Sequence, residues 1–404
     1  MKSWPLERIA HLDFRAITAI LQSMAQAELG RHNPLSVAAK SPQEFAAMRW
    51  EELGCTGEML DAITRCFAAM FHVDVLPPAP HEEAGAFARK GLALWREGKC
   101  PVTFFTSGST GVPKPCTHPE SHLRQEITSV APLAEDRKSA LVTAPLHHMY
   151  GFTFGLLLPL SLGIPIRSAP PLPTLVDAQM RPEDMVVGIP LLWSRLVEMK
   201  NWQTGGRSDV GRNITLLTAT SPTPSEVMRA LRRNGFRMVE FFGSSEIGVV
   251  CCREDPDEPF CLLPHVERGI KEHEGTLERR LPDGTLMRYP VLDSIVWTGE
   301  RSLRPGARLD KAVQVAGVNV YPRHVETVLE GHEGVRRCLV RLMRPEEGYR
   351  LKAFIVPRPG WDEQDLRETL TRFARKNLED VQRPARYSFG DDIPRGPIGK
   401  PTDW

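Results

Sequence analysis

Cysteine pairs at metal-binding or redox spacing are missing. The eight cysteines, Cys55, Cys66, Cys100, Cys116, Cys251, Cys252, Cys261 and Cys338, are scattered, with no CxxC and no Cys/His zinc spacing. Reduced thiols and a cytoplasmic location are therefore expected. An excess of either charge is missing too. Fifty-one Lys+Arg against 50 Asp+Glu leave a net charge of +1, which offers no basic face to nucleic acid or to an anionic membrane, and neither partner is expected. The N-terminal MKSWPLERIAHLDF carries charges where a signal peptide would be apolar, so no leader is expected. One stretch, Ala140 to Ile166, lacks Asp, Glu, Lys and Arg over a bilayer-spanning length. Pro145, His147, His148, Pro159 and Pro165 interrupt it, which fits a buried strand, a loop and a core helix. No repeat or low-complexity tract is present.

What is there is organised around TFFTSGSTGVPKPCTH, Thr103 to His118. The apolar run Val102–Phe105 predicts a buried strand. After it, Thr106, Ser107, Gly108, Ser109, Thr110 and Gly111 form a small-residue loop that ends at Lys114. Such a loop can turn backbone N–H groups and hydroxyls toward a polyanion, and the lysine adds a point charge suited to phosphate. A Walker-type loop would need Gly-Lys-Ser/Thr opening a helix; here Pro113 and Pro115 flank the lysine. A plain flexible linker is the other reading, but linkers seldom follow a buried strand.

Residues 1–90 read as helical. Asp13 is placed to cap a helix with Phe14, Ile17, Leu21 and Met24 on one face and Gly30 after its end. A second helical pattern covers Met59–Phe71. From Val102 strands and helices alternate, which predicts an α/β domain with a layered, largely parallel sheet. Its clearest unit is Ile214–Leu217 as strand, Pro224–Arg233 as helix and Met238–Phe242 as the next strand. Ligands of such sheets bind beyond the carboxyl ends of strands, which places TATSPTP (Thr218–Pro224) and GSSEIG (Gly243–Gly248) at a site. After Arg308 the pattern becomes a compact α+β module: Val313–Val320 as strand, Arg323–Leu329 as helix, and Arg337–Met343 with Leu351–Val356 as a hairpin. A helix follows, with Leu366, Leu370 and Phe373 inward. The expected division is a large domain over 1–310 and a small one over 311–404.

TFFTSGSTGVPK, APLHHMYGF, TATSPTP, FFGSSEIG, GARLDKAVQVAGVNVYP and PRGPIGKPTDW occur in that order. In this the chain resembles the adenylate-forming superfamily of acyl- and aryl-CoA ligases, firefly-type luciferases and peptide-synthetase adenylation domains. The resemblance covers the chain from about residue 100 onward, and several motifs in order are far more specific than any one. It implies an acid–thiol ligase that uses ATP, Mg²⁺ and coenzyme A. A carboxylate attacks the α-phosphate, pyrophosphate leaves, and a thiol then displaces AMP. Positioning and charge neutralisation dominate such chemistry.

The resemblance also implies roles. Thr106, Ser107, Gly108, Ser109, Thr110, Gly111 and Lys114 would hold the β- and γ-phosphates. Thr220, Ser221, Phe242 and Gly243 would line the adenine; Phe242 stands where relatives usually have Tyr. Ser245 would contact the α-phosphate and Glu246 would help hold Mg²⁺. Asp293 and Arg308 would bind the ribose, with Glu300 a rival for Asp293. His148 would sit beside the substrate carboxylate, and His147, Tyr150, Phe241 and Ile247 would line a flat acid pocket; for Tyr150 simple core packing is the alternative. Asp310 matches the hinge of a swivelling C-terminal lid, Gly317 the thiol tunnel, and Lys400 the lysine that approaches the acyl carboxylate. Gln314 departs from the lysine many relatives carry in the thiolating pose.

The chain is short for the superfamily. It most resembles the compact subgroup that contains the bacterial 4-coumarate–CoA ligases supplying the chromophore of photoactive yellow protein. The implied substrate is an aryl acid, 4-coumarate or a hydroxybenzoate. Two alternatives stay open: an aryl-acid ligase that loads an acyl carrier protein, and a degenerate, non-catalytic nucleotide-binding protein.

Overall fold

A computed structural model describes residues 12–32, 41–98, 101–106, 114–200, 213–269, 275–344, 346–394 and 404. The chain divides into two compact units, Met1–Phe105 with Pro115–Gly306, and Thr106–Lys114 with Ala307–Trp404.

The first unit begins with helices α1 (Phe14–His32), α2 (Pro42–Ala47), α3 (Gly57–Phe71) and α4 (Ala84–Gly98). The Asp13 carboxylate accepts from the Ala16 N–H at 2.8 Å, an N-cap that starts α1 as expected. Ile17, Leu21 and Met24 are buried along it. Gly30 does not end the helix, which runs on to His32; a glycine costs a helix only about 1 kcal/mol, too little to stop it. Ser41 and Glu44 close a capping box on α2. Trp50 fills the centre, its ring edge-on to Phe45 and Phe87.

Strands β1 (Val102–Thr106) and β2 (Lys114–His118) pair as a two-stranded sheet, followed by α5 (Glu120–Val130) and β3 (Ser139–Val142). Next come a π-helical turn, Gly151–Leu157, α6 (Leu158–Leu162), β4 (Ile166–Ser168), α7 (Pro173–Gln179), β5 (Asp184–Gly188), α8 (Pro190–Met199), β6 (Thr215–Thr218) and α9 (Ser225–Arg233). The membrane-length stretch is thus a strand, a loop and short core helices, as expected. No helix among the described residues is long and apolar enough to cross a membrane. β7 (Arg237–Ser244), β8 (Gly248–Arg253), β9 (Phe260–Leu262), β10 (Val266–Arg268), β11 (Thr276–Arg280), β12 (Leu286–Pro290), β13 (Asp293–Trp297) and β14 (Ser302–Arg308) complete this part.

Among the described residues a nine-stranded sheet runs β13-β14-β9-β8-β7-β6-β5-β3-β4. β4, β3, β5, β6 and β7 are parallel neighbours, and β8 and β9 continue antiparallel. The strand period of two feeds two separate cores. Val187, Leu217 and Val239 join the large core that also holds α5, the Gly151–Leu157 turn and the N-terminal helices, while Val186, Leu216 and Met238 pack with Trp193, Leu196 and Leu231 of α8 and α9. A sheet covered on both faces explains why β5 and β6 read as unbroken buried runs.

The second unit holds β15 (Val313–Val315), β16 (Val318–Val320), α10 (Pro322–Glu330), β17 (Val335–Leu342), β18 (Leu351–Pro357), α11 (Glu363–Asn377) and β19 (Arg386–Phe389). Val313–Val320, expected as one strand, is a hairpin. Ala316 (φ 49°) and Gly317 (φ 82°) are both left-handed, the requirement of a two-residue turn that matches strand twist. Its own core gathers Val315, Val325, Leu351, Leu366 and Leu370.

Candidate active site

Because β3, β5, β6 and β7 are parallel, their carboxyl ends share one edge of the sheet. Three predicted segments leave from that edge: residues 143–150 after β3, 219–224 after β6 and 245–247 after β7. His147, His148, Tyr150, Thr220, Ser221, Ser245 and Glu246 all lie on them. This is the edge at which open α/β sheets bind ligands.

The segment after β3 is tied down from two sides. Ser23 of α1 accepts from the Leu146 N–H and lies 2.9 Å from His147 Nδ1. Tyr150 directs its hydroxyl at the carbonyls of Gly188 (2.8 Å) and Leu217 (2.9 Å), the ends of β5 and β6. Its one proton is thus committed to backbone, and only an acceptor lone pair remains. The rings of Tyr150, Phe154 and Phe241 pack in sequence, tilted to one another, with centroids 5.3 and 4.3 Å apart. Phe241 and Ile247 are buried core residues. The ring of His148 lies 4.3 Å from that of His147. His148 is exposed, yet desolvation by surrounding protein pushes its pKa below the usual histidine value.

Ser245 and Glu246 sit half-buried on the turn between β7 and β8. Buried side chains from distant elements hold its backbone. His118 Nε2–H donates to the Ser245 carbonyl at 2.6 Å. Arg279 donates to the Ile247 carbonyl at 2.8 Å. Glu126 accepts from the Val249 N–H at 3.2 Å. Sequence reasoning missed Ser23, Glu126 and Arg279; for the last two the only local sign was a charged residue inside an otherwise amphipathic helix or strand, which is usually a solvated face.

Thr220 has φ 78°, a conformation that a β-branched residue adopts only under constraint. Its Oγ1 is buried and makes no hydrogen bond among the described residues. Strain and an orphan hydroxyl together suit a ligand contact. Glu240 fixes the same loop by accepting from the Thr223 N–H at 2.6 Å. Phe242 is half-buried, its ring 6.3 Å from that of Phe260. Gly243 follows a bulge, and a Cβ there would lie 2.2 Å from the Gly248 carbonyl oxygen. Asp293 opens β13, half-buried; Glu300 lies in an exposed turn.

The remaining candidates belong to the second unit. Lys114 opens β2 and is exposed. Arg308 holds Asp310 with Nε at 3.0 Å and again through Nη2. The Asp310 carboxylate also accepts from the Tyr321 hydroxyl at 2.9 Å and from the Ala312 N–H at 3.2 Å. Lys311 beside it has φ 60°. Gly317 forms the β15–β16 turn. Thr106 ends β1. Ser107, Gly108, Ser109, Thr110, Gly111 and Lys400 lie outside the described residues.

Residues 73–277 match the AMP-binding enzyme family, and 324–400 match the AMP-binding enzyme C-terminal domain. A 4-coumarate–CoA ligase of Halorhodospira halophila is 34% identical over 301 residues, 74% of each chain. A shorter match, 43% identical over 95 residues, joins 23% of this chain to 18% of the fatty acid–[acyl-carrier-protein] ligase ScoC of Streptomyces coeruleorubidus. Among solved structures, the amide bond synthetase McbA of Marinactinospora thermotolerans superposes with a TM-score of 0.61 at 23% identity, covering 74% of this chain and 67% of that one; this shows the shared fold.

Proposed function

We propose, because the chain belongs to the AMP-binding enzyme family and is an AMP-forming acid–thiol ligase, that it activates a phenolic aryl acid, 4-coumarate or a hydroxybenzoate, and passes it to coenzyme A. The observation that carries the reading is the convergence of the 143–150, 219–224 and 245–247 segments at one sheet edge. An acid, a nucleotide base and an α-phosphate need three such walls.

The carboxylate oxygen attacks the α-phosphorus of ATP, the bond to pyrophosphate breaks, and the acid leaves as acyl-adenylate. Coenzyme A then attacks the acyl carbon and AMP departs. His148, kept neutral by desolvation, would steady the carboxylate with an N–H and leave its nucleophilicity intact. Ser245 would contact the α-phosphate; Thr220, Ser221, Phe242 and Gly243 would enclose the adenine. Asp293 and Arg308 would take the ribose, and Thr106, Ser107, Gly108, Ser109, Thr110, Gly111 and Lys114 the outer phosphates. Lys400 would approach the reacting carboxylate, Gly317 would border the thiol path, and Asp310 would be the hinge. The Arg308–Asp310 pair would then link ribose binding directly to that hinge.

Glu246 fits magnesium: a half-buried carboxylate at the turn supplies a hard oxygen ligand. No group of three His, Cys, Asp or Glu among the described residues forms a metal cage, so phosphates of the nucleotide would supply the other ligands. Bound there, the ion would neutralise charge on the phosphates.

The phenol preference is supported by the name of the Halorhodospira relative. The match to ScoC favours a second acceptor, the arm of an acyl carrier protein. Pyrophosphate release screened across acids tests the first point. Release with 4-coumarate or hydroxybenzoates and not with long-chain fatty acids is expected; the reverse order would overturn it. Thioester yield with free coenzyme A against a holo-carrier decides the acceptor.

A further inference from the structure

We infer that Glu126, Arg279 and His118 are positioning residues for adenylation: together they fix the backbone of the Ser245–Gly248 turn that presents Ser245 and Glu246. The inference rests on the nucleotide-contacting role given to those two residues above.

Three backbone groups within five consecutive residues go to buried side chains instead of to a strand or to water. The Ser245 carbonyl goes to His118 of β2, the Ile247 carbonyl to Arg279 of β11, and the Val249 N–H to Glu126 of α5. Glu126 and Arg279 are 1% and 0% exposed. Arg279 is itself oriented by the His122 carbonyl (2.5 Å) and by Gln125 (3.0 Å). Taking two charges out of water costs several kcal/mol per ion, and a well-packed apolar pair would commonly serve stability as well or better. An apolar pair, however, offers no directed donors or acceptors to a turn. The polar pair therefore has its use in geometry, as the supporting layer a reactive group requires.

Glycine makes the arrangement fit. Gly248 has φ 91°, and a Cβ there would lie 2.1 Å from Glu126 Oε2 and 3.3 Å from the Arg279 guanidinium. The other Glu126 oxygen accepts from Thr153 at 3.3 Å. Thr153 belongs to the π-helical turn that directly follows the His147–Tyr150 segment. π-turns are rare and recur at functional sites. One carboxylate therefore touches both the turn given to the nucleotide and the helix carrying on from the segment given to the acid.

The test compares His118→Leu, His118→Gln and Glu126→Leu with Glu246→Gln. Each is assayed for ATP affinity by calorimetry, for KM and kcat of ATP–pyrophosphate exchange, and for KM of coenzyme A. One lost hydrogen bond to the turn corresponds to about a 10-fold effect. His118→Leu is expected to lower exchange by about that factor and to weaken ATP binding, with KM for coenzyme A unmoved. His118→Gln, whose amide N–H can reach the position of Nε2, restores most of the loss. Glu126→Leu, which offers the Val249 N–H no acceptor, behaves like His118→Leu; should it fail to fold, the two His118 variants decide. Unchanged exchange and ATP affinity in folded His118→Leu, or no rescue by glutamine, would overturn the inference while Glu246→Gln remains impaired. An unimpaired Glu246→Gln would instead remove the role given to the turn, and the inference would fall with it.

Discussion

Gly248→Ala should damage both stability and adenylation, and the structure separates the two causes. The first is backbone strain. At φ 91° an alanine pays roughly 1–2 kcal/mol for the left-handed conformation. The second is collision. A Cβ 2.1 Å from Glu126 Oε2 forces that carboxylate aside, and its hydrogen bond to the Val249 N–H is lost inside the protein, at about 1–3 kcal/mol. The sum is about 2–5 kcal/mol, a large share of the ~5–15 kcal/mol that holds a typical domain. Gly284 supplies the control: its φ is 87°, and an added Cβ meets nothing within 4 Å. Gly284→Ala should cost the strain term alone. Denaturant unfolding followed by tryptophan fluorescence reports on the right unit, since Trp50 and Trp193 are fully buried there. The expected result is that Gly248→Ala loses at least about 1 kcal/mol more than Gly284→Ala, and that only Gly248→Ala slows pyrophosphate exchange. Equal losses would refute the reasoning, because the carboxylate would then not occupy the space that Gly248 leaves.

Acid should weaken the first unit through two histidines. Burial, then the nearby Arg279 charge, push His122 down to about 4 and His265 to about 3. Both are neutral in folded and unfolded chains above the ordinary histidine value of about 6.5. Below it the unfolded chain binds protons first, so stability falls from pH of about 6.5 down to those lowered values, by up to about 3 kcal/mol for His122 and about 5 kcal/mol for His265. Unfolding midpoints against pH, with His265→Gln flattening the slope, would check this; no change of slope would contradict it. Lys400→Ala should slow formation of the acyl-adenylate far more than thiolation of preformed acyl-AMP. Equal slowing of both half-reactions would argue against a lysine serving one pose.

The adenylate-forming motifs were legible because each is local. A strand, its following loop and a special residue lie within a dozen positions, so TATSPTP and GSSEIG could be placed at carboxyl strand ends from sequence alone. The capping of α1 by Asp13 was equally local. Two local readings failed for physical reasons. Gly30 was too weak a breaker for a helix already nucleated and packed. Val313–Val320 alternates like one strand, and only the left-handed pair Ala316–Gly317 reveals the turn. The supports of the site were not legible. Glu126 and Val249, or Arg279 and Ile247, are far apart in sequence and meet only through the topology of the sheet. The same holds for Ser23, whose hydroxyl joins an N-terminal helix to the His147 segment. A buried charge on an amphipathic element looks like a surface charge until its partner is known.

In the proposed reaction a carboxylate oxygen of the acid becomes bonded to the innermost phosphorus of ATP. Turnover of carboxyl-¹⁸O-labelled 4-coumarate with ATP and coenzyme A tests it directly. One labelled oxygen is expected in the phosphate of AMP and none in pyrophosphate. Label in pyrophosphate, or release of ADP with the label in inorganic phosphate in place of AMP, would contradict it.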